Sequence, residues 1–264
     1  MNINNHIHHS DGIFPQLLLA LPFVLALVIY ILAVSVSSRR RRPWPIYRTV
    51  CWVLGVHFAI IAVAGPLANR AHADFTIHMF GHLLLGMLAP ILMVLAAPIK
   101  LVLGTLSIPS ARRLSKVLRS WPSRVFTHPV VTTFLNIGGL WLLYTTNLYS
   151  LMQESTLLHL IVHFHVFVAG YLFTVSMIYI DPIPHRIPFL YRSIVFIIAL
   201  AGHSILSKYI YAHPPYGVTL EQAETGGMLM YYGGDIIDIV LIFILCLQWF
   251  RATRPRIGLS IDHY

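Results

Sequence analysis

Two pairs of histidines in this 264-residue sequence are separated by four positions, which places both members of a pair on one face of a helix. The pairs are His78 with His82 and His159 with His163. Imidazole is a common metal ligand near neutral pH, and two histidines one helical turn apart can bind the same ion. The spacing therefore predicts that these side chains bind a metal.

Further ionisable and sulfur-containing residues lie in the same apolar stretches or beside them. Asp235 and Asp238 are three positions apart, and each could be a further ligand or could accept the second N–H of a ligand imidazole. Thioether sulfur favours Cu(I), whereas imidazole suits copper, zinc or iron. The remaining candidates are the histidines His57 and His203 and the methionines Met79, Met152, Met228 and Met230.

The composition is that of a membrane protein. Hydrophobic residues make up 57% of the chain and charged residues only 10%, against about 25% in soluble domains. The mean hydropathy is +0.74. Cys51 and Cys246 stand in separate apolar runs without CxxC spacing, which argues against a disulfide scaffold and a thiol redox motif. No basic face with interleaved aromatic residues remains once the apolar runs are marked, which argues against nucleic-acid binding.

Seven apolar runs are long enough to cross a bilayer, which requires about 20 residues. Their continuous hydrophobicity predicts helices rather than the alternating strands of a barrel. The first run is long, has no basic residue before it and has four arginines after it, which predicts a span and not a cleaved signal peptide. The sequence thus predicts an all-α polytopic membrane protein with one transmembrane domain over residues 1–264. The predicted spans are 14–37, 49–67, 75–97, 129–148, 156–180, 193–212 and 228–250.

The basic residues predict the orientation of these spans. With the N-terminus outside and the C-terminus inside, 16 of the 18 lysines and arginines fall on the inner side, as the positive-inside rule requires. Only Arg70 and Lys208 fall outside. The longest inner loop contains residues 108–121, which form either an interfacial amphipathic helix or a solvated basic connector.

This orientation places the ionisable residues of the spans in one layer. At about 1.5 Å per residue, they lie roughly 4–15 Å below the outer surface, on five of the predicted helices. A charged side chain at the centre of a span costs about 2.5–3.5 kcal/mol, so such residues indicate a function. We predict a metal or cofactor site in the outer leaflet, with a proton pathway or an interhelical polar network as alternatives. The candidate ligands are His57, His78, His82, His159, His163, His203, Asp235 and Asp238.

Histidine is tolerated near membrane surfaces, so some of the histidines in this sequence are not assigned a ligand role. Those left without a specific role are His72, His165, His185 and His213. The amino-terminal segment either collects ions or is simply a polar terminus, and it contains His6, His8 and His9.

The chain resembles a known family over most of residues 50–250. The stretch 78–98, HMFGHLLLGMLAPILMVLAAP, is similar to the third-span signature of the seven-helix CtaG-type cytochrome c oxidase assembly factors. The HxxxH motif at 159–163, followed by Phe167 and Gly170, fits the same family. So do the Asp-Pro-Ile-Pro sequence at 181–184, the Gly-Gly pair at 226–227 and the end of the seventh span at Trp249.

The resemblance implies a bacterial plasma-membrane protein that helps to supply copper to the oxidase, with the binuclear centre as the destination. Its implied partners are the lipid bilayer, the oxidase subunits and an extracytoplasmic copper donor, but no nucleic acid. The metal-handling positions that the resemblance implies are His78, His82, His159 and His163.

We therefore predict a copper-binding assembly factor that is not itself an enzyme, and three alternatives remain open. An intramembrane zinc hydrolase would use three histidines and a carboxylate that activates water, but the sequence has no HExxH motif. A b-type haem protein would use axial histidines on facing spans. A transporter would require polar groups through the full depth of the membrane, whereas the predicted inner half has few.

Overall fold

The computed structural model describes residues 13–39 and 43–254 of the chain. These residues form helices and their connections, without strands, which confirms the predicted all-α class. Two predictions fall outside the described residues. They concern the histidines at 6, 8 and 9 and the arginines at 40–42.

Twelve helices follow one another along the described residues. They are α1 (Ile13–Arg39), α2 (Ile46–Val63), α3 (Pro66–Ala71), α4 (Phe75–Leu95), α5 (Pro98–Thr105), α6 (Ile108–Leu118), α7 (Trp121–Phe126), α8 (Pro129–Thr145), α9 (Leu148–Glu154), α10 (Thr156–Met177), α11 (Phe189–Ala212) and α12 (Leu220–Thr253). Helix α4 contains a π-helical turn at Leu84–Leu88, and α8 contains one at Phe134–Gly138.

Six helices in the described part of the chain are long and apolar enough to cross a membrane: α1, α2, α4, α10, α11 and α12. Helix α8 corresponds to the predicted fourth span, but it is shorter and ends at Thr145. Helix α12 begins at Leu220, eight residues before the predicted span, and therefore extends about 12 Å beyond it. The predicted orientation of the termini stays a prediction. We call the end of the bundle at which α4 and α10 begin the outer end.

Helix α4 is the most buried of the six long helices. It packs against α2, α10 and α12. The closest backbone approach is at its π-helical turn, where a Cβ atom added to Gly170 of α10 would overlap the carbonyl oxygen of Gly86. Small residues permit such close helix contacts in membranes. The fold thus places the histidine-bearing face of α4 inside the bundle.

Side-chain caps fix the starts of the two helices that carry the histidine pairs. The Asp74 carboxylate accepts hydrogen bonds from the backbone N–H groups of Thr76 and Ile77, at 2.8 and 3.3 Å. The Ser155 hydroxyl caps α10 in the same way through the N–H of Leu158. Such caps satisfy backbone donors that a helix start leaves free. They fix how deep in the bundle each histidine lies.

An aspartate from the loop after α10 organises the opposite end of the bundle. The Asp181 carboxylate accepts hydrogen bonds from the N–H groups of Ile99 and Lys100, at 3.1 and 2.8 Å, and so caps α5. Burial raises the pKa of Asp181, while these two hydrogen bonds act in the opposite direction. The segment 108–121, predicted as either an amphipathic helix or a connector, contains helix α6, which has no buried residue.

Candidate functional site

Four imidazole rings form a continuous series from the surface of the outer end into the bundle. The ring centroids of His72 and His159 are 5.0 Å apart, those of His159 and His163 are 4.0 Å apart, and those of His163 and His78 are 6.3 Å apart. His72 is exposed, whereas His78 is buried. We call these four residues the imidazole ladder. It joins one loop residue to residues of α4 and α10.

Hydrogen bonds orient two rings of the ladder. The Nδ1–H of His163 donates to the carbonyl oxygen of His159 at 2.9 Å. The Nδ1–H of His72 donates to Oε1 of Gln153 at 3.0 Å. Because each Nδ1 carries the proton in this assignment, each Nε2 retains a lone pair that can bind a metal. Donation of the second N–H to an oxygen is the usual support of a metal-binding histidine.

A cavity of about 20 Å³ lies at the buried end of the ladder, and we call it the outer cavity. His78, His82, His163 and the hydroxyl-bearing Tyr144 are among its lining residues. The Tyr144 hydroxyl is 3.1 Å from Nε2 of His78. A cavity of this size has room for about one water molecule. It is therefore large enough for a single metal ion.

A second cavity of about 20 Å³ lies deeper, and we call it the inner cavity. Its polar lining comes from His82, Asn136, Thr174, His203 and Asp238. The Nε2 atoms of the two histidines are buried and have no hydrogen-bond partner among the residues that the structure describes. An unsatisfied buried polar atom costs about 1–3 kcal/mol, which is a reason to look for a functional role. His82 lines both cavities and thus stands between them.

The helix α12 brings a glycine against the ring of His203. A Cβ atom added to Gly234 would lie 2.5 Å from Cε1 of that histidine. One helical turn later, Asp238 is buried and faces the inner cavity. The glycine therefore lets the imidazole of α11 lie directly against the backbone of α12, beside the carboxylate.

The structure separates the remaining predicted ligands from these cavities. His57 is exposed on α2, and the ring near it is that of Phe58 at 6.2 Å. Asp235 is half-buried and lines neither cavity. Among the residues that the structure describes, no group of three His, Cys, Asp or Glu side chains is arranged to hold a metal ion. The eight predicted ligands therefore do not converge on one point.

The methionines predicted near the site are mostly core residues. Met79, Met152 and Met230 are fully buried in an apolar cluster that also contains Tyr144 and Tyr149. Met228, in contrast, is exposed.

Three polar residues of the site were not among the predicted ligands. His72 was left without a role because histidine is tolerated near membrane surfaces. Its partner Gln153 lies far away in the sequence and is brought near it by α9. Tyr144 and Asn136 lie on α8. For Tyr144 the available signal was its position near the outer end of the predicted fourth span, close to the depth of the histidines, whereas Asn136 falls in the inner half of that span.

Comparisons with known proteins are consistent with this architecture. The description of the matching family is cytochrome c oxidase caa3 assembly factor, and the match covers residues 28–252, which include the ladder and both cavities. An uncharacterised protein of Mycobacterium leprae is 26% identical over 247 residues, which are 86% of this chain and 37% of that protein. Uncharacterised proteins of Mycobacterium bovis and Mycobacterium tuberculosis are each 26% identical over 262 residues, or 91% of this chain and 40% of theirs.

The chain thus spans about two fifths of the length of these relatives. No solved structure matches it. The family match alone covers well over half of the chain and both parts of the site. The chain therefore belongs to the cytochrome c oxidase caa3 assembly factor family.

Proposed function

We propose that this protein binds copper at the outer end of the bundle and delivers it to a cytochrome c oxidase during assembly. The part of this proposal that concerns oxidase assembly rests on membership of the family. The observation that carries the copper proposal is the imidazole ladder, which leads from an exposed histidine to a buried cavity lined by three histidines.

The ligand chemistry of the outer cavity suits a transferable ion. Its metal-binding groups are imidazoles, which suit copper, and none of the described residues that line it carries a carboxylate. A protein that delivers an ion must also release it. A site with a few ligands from different helices releases an ion more readily than a site that fills every coordination position. Copper is thus the cargo of the protein rather than its permanent cofactor.

The same geometry supports a role without catalysis. A zinc hydrolase requires three protein ligands, a metal-bound water and a carboxylate base near that water. Asp238 lines the inner cavity and not the outer one, so it stands apart from the histidine pair of α10. We therefore propose that the protein carries an ion to the oxidase and performs no hydrolysis.

A genetic complementation experiment tests this function. Cells that lack the protein should contain the oxidase polypeptides but with a deficit of copper, measured as copper per oxidase in purified samples. Wild-type protein should restore the copper content, and His78→Ala/His163→Ala should not.

The control variant is His57→Ala, which removes an exposed imidazole of α2 and should restore copper as wild type does. Full restoration by the double variant, or an oxidase with normal copper in cells without the protein, would contradict the proposal.

A further inference from the structure

We propose that His72 and His159 form a surface loading site for copper, from which the ion moves along the imidazole ladder to the outer cavity. This inference rests on the proposed copper function. It adds to that function a surface site where copper first binds and a route by which the ion moves inwards. His72 is the first ligand on this route.

The position of His72 suits the capture of an ion from solution or from a donor protein. It follows α3 at the outer end, and its side chain is exposed. Its Nδ1–H is held by Oε1 of Gln153, so Nε2 keeps its lone pair. Gln153 is held in turn, since its Nε2 donates to the Tyr149 hydroxyl at 3.0 Å. The surface imidazole is therefore oriented before any ion arrives.

His159 supplies the second ligand of this surface site. Its ring lies 5.0 Å from the His72 ring at an interplanar angle of 26°. Its Nδ1 is buried, and within the described part of the chain it has no hydrogen-bond partner. The pair combines one exposed and one partly buried imidazole, and the second begins the path into the bundle.

The spacing of the rings allows an ion to pass from one pair to the next without becoming free. Because a metal–imidazole bond is about 2.0–2.1 Å long, two rings that share an ion have centroids up to about 6.4 Å apart. The three ladder distances of 5.0, 4.0 and 6.3 Å all fall within that limit. The first two pairs are stacked, and since imidazole lone pairs lie in the ring planes, these rings must rotate to direct their nitrogens at a shared ion. Each step then exchanges one nitrogen ligand for another while the neighbouring nitrogen stays bound, with no change in oxidation state.

The ladder also explains why the described histidines do not form a three-ligand centre. A closed three-ligand site would retain the ion, whereas a row of pairs passes it on. The buried end of the row is the outer cavity, which is lined by the last pair of the ladder, His78 and His163, and also by His82. The arrangement thus favours loading from the surface towards the interior.

The test measures the rate of copper loading by the purified full chain in lipid nanodiscs. Cu(I) would be offered from a chromophoric chelator, and its transfer followed by stopped-flow absorbance together with the final copper content. His72→Ala should slow loading by more than about tenfold, since it removes a ligand, and loss of a supporting contact alone costs about 10- to 100-fold at metal sites. The final copper content should remain that of wild type.

The matched control is His213→Ala, because His213 is also an exposed histidine near the outer end but stacks on Tyr209 outside the ladder. Gln153→Leu should give a smaller slowing, since it leaves the His72 imidazole in place but without its support. Loading of His72→Ala at the wild-type rate would overturn the surface site and leave the proposed function intact. A wild-type protein that takes up no copper would instead contradict the proposed function.

Discussion

At the scale of single residues, the function depends on which ring nitrogen is free to bind an ion. In the ladder, oxygen acceptors hold the Nδ1–H groups of His72 and His163, and so direct each Nε2 towards a ligand role. His165 uses the other nitrogen, because its Nε2–H donates to the carbonyl oxygen of Leu135 at 3.0 Å, and this side chain lines neither cavity. The position of a histidine in a span does not by itself make it a ligand.

We expect the Tyr144 hydroxyl to strengthen copper binding through its hydrogen bond with His78. The variant Tyr144→Phe removes the hydroxyl that is 3.1 Å from Nε2 of His78 and leaves the aromatic ring in the core. We expect copper affinity to fall by about 10- to 100-fold, as for other lost supports of metal-binding histidines. Competition with a Cu(I) chelator of known affinity measures this effect.

Tyr209→Phe provides the control, because Tyr209 stacks on His213 and lines neither cavity. Equal copper affinities of Tyr144→Phe and wild type would show that the hydroxyl does not support the site.

The sequence predicted the buried members of the site better than its surface members. The HxxxH spacing predicted that His78 and His82 lie on one face of a helix. Because the helix is apolar, this polar face was expected to point into the bundle, and both side chains are buried. The role of His72 could not be predicted, since it depends on how the short helix α9 crosses the outer end. His57 was predicted as a ligand from depth alone, and depth does not reveal which side of α2 faces the bundle.

At the scale of helices, the close contact between α4 and α10 sets the geometry of the site. It occurs at the π-helical turn of α4, where Gly86 lies against Gly170. Gly86 also adjoins the site directly, because a Cβ atom there would be 3.2 Å from Cε1 of His82. Hydropathy predicts that both helices span the membrane, but it carries no information about a π-helical turn or about the length of α8. These features arise from packing between helices.

The substitution Gly170→Ala tests this contact. Its methyl group would overlap the carbonyl oxygen of Gly86, so the two helices must separate. We expect a loss of about 1–3 kcal/mol in the free energy of unfolding, and a lower copper content because His163 moves with α10. Denaturant titration in detergent and metal analysis measure the two effects.

Gly104→Ala is the matched control, because no atom of the residues at 13–39 and 43–254 lies within 4 Å of the added Cβ atom. It should retain both stability and copper. A Gly170→Ala variant as stable as Gly104→Ala would show that the close contact is not needed.

At the scale of the whole molecule, the protein is a multi-pass bacterial membrane protein whose two ends differ in chemistry. The outer end carries the imidazole ladder, while residues 98–128 at the opposite end contain six lysines and arginines and no acidic residue. The composition predicted this membrane class because seven apolar runs dominate the chain. The route between the surface and the outer cavity could be found only from the three-dimensional arrangement of α4, α9, α10 and the loop after α3.

The central claim is that buried histidines of this protein bind copper, and metal analysis of the purified chain tests it most directly. Wild type and His57→Ala, loaded with Cu(I) and freed of excess, should each contain about one copper per chain. The variant His78→Ala/His82→Ala should contain almost none, since it removes two of the three histidines that line the outer cavity. An unchanged copper content in this double variant would contradict the account.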